Sequence, residues 1–241
     1  MTRNSVPRKE EIASRLSAVR QRIATACRDA GREPGDVRLV VVTKTYPSSD
    51  VALLAALGVS DVGENRHPEA ADKHDEVGSD GAGLTWHFVG ALQTNKAAAV
   101  ARYADVVHSI DRIRLVRALA KGAQKADRVI DVLIQVNLEG RDDAPGGRAG
   151  AEPDDIEEIA AEIEASPGLR LRGTMAVAPL GEDASKAFAQ LRERTDALRE
   201  RHPDATIMSA GMSGDMEAAI TAGATHVRIG RSVLGERPPL R

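Results

Sequence analysis

The stretch from Arg38 to Asn65, RLVVVTKTYPSSDVALLAALGVSDVGEN, decides the fold. Leu39-Val40-Val41-Val42 is a short, mostly β-branched apolar run bounded by turn residues, the pattern of a strand buried on both faces. Thr43 and Lys44 close that strand. Ser48, Ser49 and Asp50 then offer an N-cap to an apolar helix that runs to Leu57. A second short strand follows at Asp61-Val62-Gly63 and ends at Glu64-Asn65. Strand, helix and strand in this order make one βαβ unit, whose two strands run parallel.

The same beat continues outward in both directions. Upstream, residues 8–30 carry Ile12, Leu16, Val19 and Ile23 at helical spacing, and Gly31 and Pro34 end that helix. Downstream, a polar helical segment reaches about Val77, and Trp86-His87-Phe88-Val89 forms the third strand, with Thr94 capping the next helix. Val106–Ile110 is the fourth strand, and Asp111 opens a helix bearing Ile113, Leu115, Val116 and Leu119. The fifth strand lies between Val129 and Leu138. Gly140 to Gly150, GRDDAPGGRAG, reads as a mobile loop and not as a domain linker, because the rhythm resumes unchanged after it. Pro153 starts a helix with Ile156, Ile159, Ala160 and Ile163 on one face. Leu169–Met175, Thr206–Met208 and Thr225–Ile229 are strands six to eight, each followed by a helical pattern. Eight units after an extra N-terminal helix predict an α/β protein, a single (β/α)8 TIM barrel over residues 1–241. An open doubly wound sheet is the alternative, but no GxGxxG follows the first strand.

Composition excludes several classes. The 33 basic and 36 acidic residues nearly balance and aromatics are only 2%, so neither a basic field nor base stacking points to nucleic acid. The N-terminus lacks an apolar signal region, and the longest apolar stretch, Val51–Val59, is too short to span a bilayer. Cys27 stands alone, so no internal disulfide forms and a reducing, cytoplasmic setting is expected. Arginine outnumbers lysine 26 to 7, so a lysine in an apolar setting raises the question of what only lysine can do.

In such barrels the working residues sit at the carboxyl ends of the strands. That rule selects Lys44, Glu64, Asn65, the segment 87–93, Ser109, Asp111, Asn137, Met175, Ser209 to Asp215 and Arg228 to Ser232. Lys44 leads this group. An ammonium at the end of an apolar strand loses hydration, which favours the free amine, and an amine attacks aldehydes where a guanidinium does not. A snorkelling or ion-paired lysine is the other reading of the same position. Gly211-Met212-Ser213-Gly214 and Gly230-Arg231-Ser232 each precede a helix after strands seven and eight, where barrels often bind phosphate. Ordinary serine-capped turns are the alternative. A reactive amine across the barrel from a phosphate cradle points to a phosphorylated aldehyde, either pyridoxal 5′-phosphate (PLP) or a sugar phosphate in an aldolase-type site. Arg228 would face the pyridine nitrogen of PLP and, staying protonated, keep that nitrogen unprotonated; otherwise it pairs with a carboxylate such as Glu64. His87 has no metal-ligand spacing and reads as a structural histidine, and the other histidines are uninformative.

Taken together, VVTKTYP (41–47), GENR (63–66), WHFVGALQTNK (86–96), HSID (108–111), QVN (135–137), RGTMAV (172–177), GMSGDMEAAI (211–220) and VRIGRSVLGER (227–237) resemble the YggS-type pyridoxal-phosphate homeostasis proteins. These are single-barrel relatives of the alanine racemase N-terminal domain. The resemblance implies PLP held as a Schiff base on Lys44, with Asn65 beside the ring and Arg228 at the pyridine nitrogen. Ser213 with the backbone of Gly214, Gly230 and Arg231 would hold the phosphate. It also implies vitamin B6 and amino-acid balance as the role, without established turnover. Arg231 stands where the family commonly has Thr, which removes a hydroxyl from the phosphate site. His67-Pro68 after GENR and Ala91 are further departures. Because the chain ends soon after the eighth strand and its only tyrosines are Tyr46 and Tyr103, we expect a monomeric PLP carrier, with a weak amino-acid racemase as the alternative.

Overall fold

The computed structural model describes residues 5–139 and 150–236. Residues 140–149, most of the segment expected to be a mobile loop, lie outside the described residues. The chain opens with α1 (Ser5–Asp29) and then alternates β1 (Arg38–Val42), α2 (Ser48–Ala56), β2 (Asp61–Glu64), α3 (Glu69–Val77), β3 (Thr85–Phe88), α4 (Ala97–Val100) and β4 (Val106–Ile110). It continues through α5 (Ile113–Lys125), β5 (Ile130–Gln135), α6 (Ile156–Glu164), β6 (Leu169–Met175), α7 (Ala184–Arg201), β7 (Ile207–Ser209), α8 (Met216–Thr221), β8 (His226–Ile229) and α9 (Arg231–Leu234).

The eight strands close in sequence order, and every neighbouring pair is parallel. This is the predicted (β/α)8 barrel, and closure leaves no sheet edge exposed. β1 is held by both β2 and β8, with Val41 opposite Val62 and Val40 opposite Arg228. That register places the end of β1, and so Lys44, beside the ends of β2 and β8. The β5–β6 ladder shifts register at Val132/Leu133. Gly173 of β6 has φ 144°, and a Cβ there would lie 1.8 Å from the Ile207 carbonyl oxygen. Only glycine allows β6 and β7 to approach this closely.

The outer faces of the strands bury Val62, Phe88, Val107, Val132 and Ile134 under the helices. The predicted stripe of α1 is what docks it: Ile12, Leu16, Val19 and Ile23 are buried with Met216, Ile220, Val233 and Leu234. Each such side chain contributes about 1.5–3 kcal/mol by burial, enough to seat α1 along α8 and α9. Cys27 is buried in the same cluster.

The helix starts depart from the sequence reading. α2 begins after Pro47 with no side-chain cap, because Asp50 is buried in an ion pair with Arg8 of α1 at 2.6 Å. Thr94 does not cap a helix either; it opens a 3₁₀ turn, and its hydroxyl accepts from Arg112 Nη2 at 3.2 Å. In both cases a tertiary partner took the side chain that local pattern assigned to a cap. Among the described residues, no helix is long and apolar enough to cross a membrane.

Candidate functional site

β1 ends in a tight turn. The Thr43 carbonyl accepts the Tyr46 N–H at 3.0 Å, so Lys44 and Thr45 are the two central residues. Thr45 has φ 68°, where such turns ordinarily place glycine or asparagine. For a β-branched residue this is a true outlier, a strain of roughly 1–3 kcal/mol that persists only where surrounding contacts enforce it. The half-buried Lys44 lines a cavity of about 600 Å³ at the carboxyl end of the barrel.

Across that cavity lie the two glycine-bearing turns. The Ser232 hydroxyl donates to Ser213 Oγ at 2.9 Å, which joins the turn after β7 to the turn after β8. Asp215 accepts the Met212 N–H at 2.6 Å and fixes the first turn from within. Among the described residues, the Ser213 and Gly214 amides donate to no backbone carbonyl, and both residues line the cavity. On the near side, a Cβ at Gly90 would fall 2.3 Å from the Asn65 carbonyl oxygen. The loop after β3 therefore packs directly on the Asn65 backbone and holds that residue at the cavity.

Arg228 presents its guanidinium to the same cavity although it is only 5% exposed. Burial pulls it down to about 10, with Asp215 opposing, so it remains a cation at neutral pH. No carboxylate among the described residues pairs with it directly, and the carboxylate pairing considered from sequence is not formed: Glu64 bonds Lys73 at 2.6 Å. Arg228 instead donates to the Ala176 carbonyl at 2.8 Å and to Ser209 Oγ at 2.7 Å. From Ser209 a chain of hydrogen bonds crosses the barrel interior. Ser209 Oγ meets His108 Nδ1 at 3.0 Å, His108 Nε2 meets His87 Nδ1 at 2.8 Å, and His87 Nε2 meets Asp61 Oδ1 at 3.0 Å. Strands β4 and β7 are not neighbours, so the His108–Ser209 bond spans the interior.

One proton order satisfies every contact in this chain. Arg228 donates to Ser209, Ser209 to His108, His108 to His87, and His87 to Asp61. Burial first, with neighbouring positive charge second, holds His108 well below the usual histidine range and keeps it neutral. Burial opposes ionisation of Asp61, but hydrogen bonds from His87 and Ser60 prevail and pull it down to about 2. A buried cation at one end is thus joined through Ser209 and two imidazoles to a buried anion at the other. Asp61, His87, His108 and His226 also line a second cavity of about 320 Å³. His226 there is pushed down to about 3, by burial first and by its charged neighbours second.

All seven residues selected from sequence, Lys44, Asn65, Ser213, Gly214, Arg228, Gly230 and Arg231, line the first cavity. Ser109, Asp111, Asn137 and Met175, which the strand-end rule also selected, are not among the residues lining it. Sequence reading missed the histidine chain: His108 and His226 looked scattered, and their contacts join residues far apart in sequence. It also passed over Glu69 and Lys73 of α3, although the scarcity of lysine was a signal for the second. His87 is a satisfied structural histidine, as expected, and its partners are Asp61 and His108. Among the described residues, no group of three or more His, Cys, Asp or Glu is arranged to hold a metal ion.

Barrel and site together define a class. The chain belongs to the family described as alanine racemase, N-terminal domain, whose pattern matches residues 14–238. Within that class it is similar to pyridoxal phosphate homeostasis proteins. It is 38% identical to the one from Mycobacterium bovis, over 95% of this chain and 94% of that one. The Escherichia coli protein of the same name is 37% identical over 94% and 97% of the two chains. Among solved structures, PipY of Synechococcus elongatus with PLP bound superposes with a TM-score of 0.78 at 32% identity, covering 93% of this chain and 100% of that one.

Proposed function

We propose that this chain is a PLP-binding protein of intracellular vitamin B6 homeostasis, with Lys44 as the covalent attachment point. The observation that carries the reading is the convergence of three unlike groups on one cavity: the Lys44 amine, the Ser213 hydroxyl with the Gly214 and Gly230 turns, and the Arg228 guanidinium. They match the three polar ends of PLP, an aldehyde, a phosphate and a pyridine nitrogen. A cavity of about 600 Å³ suits a ligand of this class. The relationship to a structure solved with PLP supports the same assignment.

The residues divide the work as follows. Lys44 would hold PLP covalently, its Nζ bonded to the aldehyde carbon with the aldehyde oxygen lost as water. Hydrolysis of that bond releases the ligand. Ser213, with the backbone of Gly214, Gly230 and Arg231, would hold the phosphate, and Asn65 would lie beside the ring. Arg228 would face the ring nitrogen and, being a cation, would keep that nitrogen unprotonated. Bound PLP supplies electron-sink chemistry, which an unprotonated ring nitrogen weakens.

This favours holding and releasing PLP over catalytic turnover. Racemisation needs a second acid/base group opposite the lysine. Tyr46 lines the cavity, but its hydroxyl donates to the Gly235 carbonyl at 2.6 Å. The lone cysteine fits the cytoplasm. The test is saturation with PLP, borohydride reduction and peptide mass mapping. A pyridoxyl-phosphate adduct on Lys44 is expected; a saturated protein without it refutes the assignment. In an unreduced PLP-loaded sample, sustained conversion of an L-amino acid to its D-isomer above a Lys44→Ala control would refute the carrier role.

A further inference from the structure

Two side chains of α3, one turn apart, reach past their own helix to the backbone on either side of Lys44. Lys73 Nζ donates to the Thr43 carbonyl at 2.9 Å, the peptide group preceding Lys44. Glu69 Oε1 accepts the Thr45 N–H at 2.7 Å, the peptide group following it. The two side chains also face each other, Nζ to Oε1, at 3.5 Å. Behind them Lys73 donates to Glu64 Oε1 at 2.6 Å, and the same oxygen accepts the Thr43 hydroxyl at 2.6 Å. Lys73 and Glu64 are 5% and 1% exposed, so these contacts are shielded from water.

We propose that Glu69 and Lys73 are positioning residues that clamp the Lys44 turn and aim its amine into the cavity for covalent capture of PLP. The proposal rests on the PLP reading above. A structural ion pair fastening α3 to β2 would need only Lys73 and Glu64. Neither the bond to the Thr43 carbonyl nor the bond to the Thr45 amide serves that purpose, and together they bracket Lys44. The chemistry of the cation points the same way. Lys73 directs its three N–H groups to Thr43, Glu64 and Glu69, a geometry that fits an ammonium and not a planar guanidinium. This accounts for a buried lysine in a chain that otherwise uses arginine. Thr45 supplies the need for a clamp: a β-branched residue at φ 68° relaxes elsewhere unless its neighbours hold it.

The experiment compares wild type, Glu69→Ala, Glu69→Gln and Lys73→Met by thermal unfolding, by binding of pyridoxine 5′-phosphate, and by the rate of PLP capture on Lys44. Pyridoxine 5′-phosphate carries an alcohol in place of the aldehyde and cannot bond the lysine. Capture is followed by borohydride trapping. Glu69→Ala is expected to slow capture by at least about tenfold while binding of the alcohol is unchanged. Glu69→Gln keeps a carbonyl that accepts from Thr45 and should recover most of the rate. In a Thr45→Gly background, where the turn carries no strain, the Glu69→Ala defect should shrink. Lys73 is buried and its variant risks the fold, so the partly exposed Glu69 decides the outcome. Capture by Glu69→Ala at the wild-type rate, or equal loss of both ligands, overturns the clamp. Wild type that takes no adduct on Lys44 overturns the PLP reading itself.

Discussion

Ser209 is the joint between the buried guanidinium and the histidine chain, and replacing it with alanine should be costly out of proportion to its size. The substitution removes one oxygen but abandons two partners. Arg228 Nη1 loses its acceptor at 2.7 Å, and His108 Nδ1 loses its donor at 3.0 Å. His108 is 0% and Arg228 5% exposed, so water has little access to replace either bond. Leaving a buried polar group unpaired costs about 1–3 kcal/mol, more when it is charged, which sums to about 2–5 kcal/mol for Ser209→Ala. In a chain of this length each kcal/mol moves Tm by about 2–4 °C, so a drop of roughly 4–20 °C is expected. Urea unfolding at neutral pH measures the free energy directly. A Ser209→Ala, His108→Leu double variant should lose less than the sum of the two single variants, because both break the same bond. PLP affinity should fall as well, since Arg228 keeps only its anchor on the Ala176 carbonyl. A single variant within about 0.5 kcal/mol of wild type, the range of an ordinary surface change, would refute the claim that the chain of hydrogen bonds supports Arg228.

The far end of that chain predicts a pH dependence. Asp61 is held at about 2 against an ordinary 3.8, so the folded state binds fewer protons than the unfolded state in this range. The contribution is present above about pH 4 and is lost as pH falls toward 2, at about 1–2 kcal/mol after allowing for solvent screening. Urea midpoints for wild type and Asp61→Asn should therefore converge on acidification, and a gap independent of pH would contradict the assignment. Gly90→Ala places a methyl against the Asn65 backbone, which must move. A loss of about 1–3 kcal/mol with weakened PLP binding is expected from calorimetry and titration, and unaltered affinity would argue against Asn65 as a ring contact.

The legible part of this protein is the part written locally. Short apolar strand patterns, separated by helical spacing and turn residues, repeat eight times, and that count implies closure. Lys44, Ser213, Gly214, Gly230 and Arg231 were legible because the carboxyl ends of barrel strands and the turns after strands seven and eight are functional positions in any such barrel. Helix caps were less legible. Asp50 and Thr94 have the residue types of caps, but Arg8 and Arg112, distant in sequence, claimed them.

By itself, then, the sequence determined the barrel, its extra N-terminal helix and the residues that ring one cavity, because periodicity and turn chemistry act between near neighbours. Only the tertiary structure decided how those residues are held. Arg228 answers to Asp61 through Ser209, His108 and His87, four links across the barrel interior. Lys44 sits in a strained turn gripped from α3 by Glu69 and Lys73. Hydrogen bonds depend on distances within about 3 Å and on which atom carries the proton. Closing the barrel sets those distances between side chains that no local pattern connects.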